Sequence, residues 1–241
     1  MSPAPSMPQR TGARLVVGSA RVTRLDGTEG RTLFPSPDFT HWPPFEMLAE
    51  TSTIGSHAVE PHSHAREEVV NYVLSGRLMV YDENRRGHEV PNGSANLLTA
   101  ARQQVHDVGP KAGARAHWIS LVLRLPRDAA EPEESSQTAP TLPLPNPPAG
   151  LSISSVVGDS GPIRSVLGLD MQDVLFRETI ETELPLEPPR TALIYVLGGR
   201  ARVAKKELSV GGGLLSEGPT SLSISGDRGS RLIFASVGRR P

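Results

Sequence analysis

The sequence contains no cysteine. This excludes disulfide scaffolds, thiolate zinc sites and cysteine nucleophiles, and leaves imidazole and carboxylate as the side chains able to hold a metal. Strong charge of one sign is also missing: 25 Lys and Arg stand against 26 Asp and Glu, a formal net charge of −1. A broad nucleic-acid footprint needs a clustered basic face, so no direct nucleic-acid contact is expected. No apolar run approaches the ~18 residues of a membrane span, and residues 1–15 hold no apolar stretch of the kind a secretory leader carries. The expected compartment is the cytoplasm, with no membrane partner. Sustained i, i+3, i+4 periodicity is absent, as are a Gly-x-Ser-x-Gly elbow and a Walker-type phosphate loop. Gly211-Gly212-Gly213 is followed by no amphipathic helix and reads as a turn.

The 241 residues include 23 Gly and 23 Pro, and 37% are hydrophobic. Apolar residues fall in short β-rich runs, namely Arg14–Val17, Val69–Leu74, Leu78–Tyr81, Trp118–Leu125, Leu151–Val157, Val174–Ile180, Ala192–Leu197 and Leu232–Val237. Each is bounded by Gly, Pro, Asn or Asp, the pattern of a sandwich or barrel. Residues 72–77 read Tyr-Val-Leu-Ser-Gly-Arg and residues 195–200 read Tyr-Val-Leu-Gly-Gly-Arg, an internal repeat at an offset of 123. Each copy is expected to be a strand, a Gly-containing turn and a second strand. From Glu131 to Gly150 six residues of twenty are Pro, which favours extended, solvated backbone. The reading is a mainly β chain of two related barrel domains: a flexible tail over 1–13, a first barrel over 14–130, a Pro-rich connector over 131–150 and a second barrel over 151–241.

All seven histidines lie in the first half. His62 and His64 are spaced i, i+2, which on a strand points both imidazoles to one face. His106 follows on a short extended segment that could return across the barrel, giving a three-His site suited to Fe, Zn, Cu, Ni or Mn. Glu67 or Glu68 could complete or orient it. His41, His57, His88 and His117 lack paired spacing and read as surface or packing residues. The second half lacks the paired imidazoles: the offset of 123 carries His62 and His64 to Pro185 and Glu187.

These features together resemble the cupin barrel and, within it, the two-domain pirin family. The likeness runs from about Leu25 to Val237 and rests on Pro61-His62-Ser63-His64, Val70-Asn71-Tyr72-Val73-Leu74-Ser75-Gly76 and the stretch Leu98 to His106. It implies a bicupin (two jelly-roll-like barrels) with one divalent metal, usually iron, held in the first barrel by His62, His64 and His106, and a metal-free second barrel. The family's fourth ligand, a glutamate two residues after the third His, falls here on Val108. The resemblance further implies either a quercetin 2,3-dioxygenase-type oxygenase taking a flavonol-like aromatic, or a non-enzymatic metal-binding regulator with a protein partner and a degenerate site. For the oxygenase, Glu68 is expected to serve as the catalytic base in place of the missing glutamate.

Overall fold

The computed structural model describes residues 14–25, 27–39, 42–54, 59–111, 113–159, 161–186, 190–218 and 221–238; the 1–13 tail, His41, His57 and Glu187 lie outside them. No helix is assigned among the described residues, and none is long and apolar enough to cross a membrane. The first half carries β1 (Arg14–Ser19), β2 (Arg21–Leu25), β3 (Thr28–Phe34), β4 (Phe45–Ile54), β5 (Val59–His64), β6 (Glu67–Tyr81), β7 (Gly87–Pro91), β8 (Ser94–Ala100), β9 (Gln104–Pro110) and β10 (Arg115–Arg124). The Pro-rich stretch carries β11 (Ser135–Pro140) and β12 (Leu142–Pro143). The second half carries β13 (Leu151–Val157), β14 (Leu169–Phe176), β15 (Ile180–Pro185), β16 (Arg190–Gly198), β17 (Arg200–Val203), β18 (Lys206–Ser209), β19 (Gly212–Glu217), β20 (Ser221–Gly226) and β21 (Arg231–Gly238). Period-two patterning explains such strands: in β13, Leu151, Ile153 and Ser155 are buried while Ser152 and Ser154 are not.

Each half builds one long sheet, ordered β11-β8-β6-β10-β4-β3-β2 in the first and β1-β19-β16-β21-β14-β13-β12 in the second. The orders correspond strand for strand. The outermost partners are exchanged: Arg14–Ser19 pairs with β19 of the second half, and β11 from the Pro-rich stretch pairs with β8 of the first. Both barrels close with a smaller layer, formed by β5, β7 and β9 around the far end of β6 in the first half and by β15-β20-β17-β18 in the second.

The repeated motif lies at the point where a strand passes from the long sheet to the small layer. In the first half the chain makes no hairpin there: β6 runs unbroken through Gly76, which has φ +78°. Leu74 is a bulge residue between Val73, opposite Trp118, and Ser75, opposite His117. Gly199 at φ +72° and the bulge at Leu197 repeat the device between β16 and β17. A Cβ on Gly76 would lie 1.9 Å from the Arg115 carbonyl oxygen, so close passage of β10 as well as φ requires glycine. The expected run Val174–Ile180 divides into the end of β14 and the start of β15. Of the glycine triplet only Gly211 turns, at φ +80°, while Gly212 and Gly213 open β19.

The two long sheets face each other. Val70, Leu97, Ile119 and Leu121 from the first half share a buried cluster with Met171, Leu193, Leu215 and Ile233 from the second. Two tyrosines cross this layer reciprocally. Tyr72 donates its hydroxyl to Asp173 at 2.6 Å, a carboxylate also paired with Arg231. Tyr195 donates to Glu50 at 2.6 Å, a carboxylate also bonded to His117 at 2.7 Å and Arg31. Tyr72 and Tyr195 are the first residues of the two repeat copies, and Glu50 and Asp173 are separated by the same offset of 123.

Candidate metal centre

The interiors of the two barrels differ. The second is filled by apolar residues, with Leu184 and Leu186 near β15 and Leu222 and Ile224 on β20. Among the described residues of the first, a smaller cluster of Val73, Leu78, Val80, Val90, Val108, Ala116 and Trp118 forms the apolar interior. Beside it lie the three imidazoles.

Antiparallel pairing of β5 with β9 sets His62 opposite His106 and His64 opposite Gln104, with Ser63 and Val105 turned to the other face. The potential ligand atoms of His62, His64 and His106 all lie within 4.8 Å of one another. Their ring centroids are 4.6 to 4.9 Å apart. His62 Nε2 meets His106 Nε2 at 3.1 Å, close to the ~3 Å expected of two nitrogens bound at about 2.1 Å and right angles to one ion.

Backbone and carboxylate partners fix two of the rings. His62 Nδ1 faces the Glu60 carbonyl oxygen at 2.8 Å, and His64 Nδ1 faces Glu67 Oε2 at 2.6 Å. Both nitrogens act as donors there, which leaves the Nε2 lone pairs free to ligate. Glu67 is itself held through its other oxygen by Arg124 at 2.7 Å. His64 Nε2 is buried with no hydrogen-bond partner. Burial, reinforced by His62 and His64, pushes the His106 imidazole down to about 3, so it stays neutral. An orphaned lone pair, two rings meeting Nε2 to Nε2 and tautomers anchored by a backbone carbonyl at His62 and a carboxylate at His64 fit a divalent ion.

Three other residues need placing. Val108 is buried in the apolar cluster, two residues from His106 on the same face. Asp107 faces the opposite way and pairs with Arg85 at 2.6 Å. Glu68 is not brought to the imidazoles. Strand alternation turns it into the layer between the halves, where it accepts from Ser165 Oγ at 2.5 Å, Val166 N at 2.9 Å, Leu167 N at 3.2 Å and Thr99 Oγ1 at 3.5 Å.

His106 also lines a cavity of about 720 Å³ whose wall includes Val80, His88, Leu98, Gln104 and Ser136. His88, expected to be surface or packing, contributes to this wall with Nε2 3.0 Å from Thr138 Oγ1. Asn96 joins β8 to β11 by donating to Ser136 Oγ at 2.9 Å and Thr138 Oγ1 at 3.1 Å. The Pro-rich stretch therefore forms one side of the cavity. Its signal in the sequence was weak because β11 alternates Ser, Gln and Thr without large apolar residues.

Two facing barrels with imidazoles in one of them define a bicupin. Within that class, residues 31–119 match the Pirin family model. No curated protein matches the sequence. Among solved structures, GK1651 from Geobacillus kaustophilus is similar at 20% identity and TM-score 0.81, over 95% of this chain and 98% of that one. Quercetin 2,3-dioxygenase from Acinetobacter baumannii is similar at 19% identity and TM-score 0.81, over 93% and 79%. The bacterial pirin YhhW from Escherichia coli, solved with nickel(II), is similar at 14% identity and TM-score 0.77, over 93% and 99%.

Proposed function

We propose that this chain binds one divalent metal through His62, His64 and His106 and uses it as a quercetinase-type oxygenase on a flavonol-like aromatic. The observation that carries this reading is the convergence of three imidazoles, one of which, His106, lines a cavity of about 720 Å³. Its support from other proteins is the fold shared with a quercetin 2,3-dioxygenase and with a nickel-bound pirin. Iron(II) is the first candidate from the family resemblance, and three neutral imidazoles also suit nickel, copper, zinc or manganese.

A bound metal would supply Lewis acidity toward a phenolic oxygen of the substrate. The protein's part is to hold and orient. Glu60 and Glu67 fix the rings of His62 and His64, and Val80 and Leu98 offer apolar surface to an aromatic ring. His88 and Ser136 offer polar contacts on the same wall. Glu68, the expected base, is committed to Ser165, Val166 and Leu167, and its role in this reading is to anchor the second half. A second reading, a metal-binding regulator with a protein partner, is favoured by Val108 standing where the family resemblance places a carboxylate.

The two readings separate in one assay. The purified chain, loaded anaerobically with each candidate metal, is mixed with quercetin and then O2. The oxygenase reading expects flavonol loss with CO release; bound metal without turnover under every loading would reject it in favour of the regulator.

A further inference from the structure

Gln104 stands two residues before His106 on β9, so both side chains leave the same face of the strand. Antiparallel pairing puts it directly opposite His64, just as His106 stands opposite His62. Three imidazoles and one carboxamide thus form a two-by-two patch across a single pair of strands. Gln104 Oε1 is buried and has no hydrogen-bond partner, and His64 Nε2 on the facing residue is in the same condition. With the His64 proton on Nδ1 toward Glu67, both orphans are lone-pair acceptors. Neither can satisfy the other, whereas one cation can satisfy both.

We propose that Gln104 supplies its amide oxygen as the fourth protein donor to the divalent ion held by His62, His64 and His106. This rests on the reading of the three imidazoles as metal ligands. The substitution is positional: Val108 follows His106 by two residues and brings only methyl groups to this face, while Gln104 precedes it by two and brings an oxygen. The resulting set of three nitrogens and one amide oxygen is neutral throughout and suits a first-row divalent ion.

The test uses cobalt(II) as a spectroscopic probe added to the metal-free full-length chain, with affinity read by chelator competition and donor identity by the visible ligand-field bands. Gln104→Leu should weaken cobalt(II) binding about tenfold or more and shift the bands. Gln104→Glu, which keeps an oxygen at the same place and adds charge, should bind more tightly than wild type. Wild-type affinity and bands in Gln104→Leu would overturn the assignment, as would unchanged affinity in Gln104→Glu if the leucine variant fails to fold. A His62→Ala control that loses cobalt(II) while Gln104→Leu keeps it would leave the three-imidazole site standing and remove Gln104 alone. Absence of cobalt(II) binding by the wild-type chain would overturn both.

Discussion

Glu67 and Glu68 are neighbours in sequence and face opposite sides of β6, and their chemistry divides accordingly. Glu67 turns inward to His64, whereas Glu68 turns to the second half and meets Ser165, Val166 and Leu167. Burial pushes the Glu68 carboxyl up despite these bonds. Glu67→Ala should lower metal affinity about 10- to 100-fold by releasing the His64 ring, measured by chelator competition, while leaving the fold intact. Val108→Glu tests the same site from the apolar side: the new carboxylate should destabilise the metal-free chain, because it enters the cluster around Trp118. Added metal should reverse that loss, read as a metal-dependent rise in Tm; a variant equally destabilised with and without metal would place position 108 out of reach. The i, i+2 spacing of His62 and His64 made their common face legible from sequence. The split between Glu67 and Glu68 was not, since adjacent carboxylates look alike until the strand's facing is known.

At the scale of elements, the site depends on the register of β5 against β9, which sets His62 opposite His106. The run Gln104-Val105-His106 showed an extended segment in the sequence, but which residue of β5 it meets is decided by long-range pairing. The repeat was legible and its meaning was not. A glycine between two apolar runs suggests a hairpin turn, while here it marks a bulge that bends one strand from the long sheet into the small layer. Gly76→Ala should therefore cost several times more stability than Gly93→Ala, both being left-handed glycines. Nothing lies within 4 Å of a Cβ at Gly93, so its cost is conformational, about 1 kcal/mol. The alanine at position 76 would in addition collide with the Arg115 carbonyl. Equal midpoints of the two variants in urea would contradict this reading of the bulge.

At the scale of the whole molecule, two halves are joined by exchanged outer strands, a shared apolar layer and the reciprocal tyrosine bonds of Tyr72 and Tyr195. Each hydroxyl donates to a buried carboxylate, so Tyr72→Phe and Tyr195→Phe should each destabilise by about 1.5–3 kcal/mol in denaturant titrations. Burial alone would raise the Glu50 carboxyl, but the bonds from His117 and Tyr195 and the charge of Arg31 outweigh it and hold the group below its ordinary value of 4.5. Its stabilisation is therefore present above pH 4.5 and lost as pH falls through the lower folded value, because the unfolded chain takes up the proton first. Glu50→Gln should flatten that acid limb of the stability curve relative to wild type; an unchanged limb would contradict the assignment. The two-barrel plan was legible in the sequence from the repeat and the glycine- and proline-bounded strand runs. The exchange of β1 and β11 was not, because an edge strand with half or more of its residues exposed leaves little pattern. The most direct test of the central claim, that three imidazoles of the first barrel hold one metal, is metal content of the purified, metal-loaded chain beside His62→Ala, His64→Ala and His106→Ala. About one ion per wild-type chain and near-complete loss in each variant is the expected result; stoichiometric metal retained in the variants would contradict it.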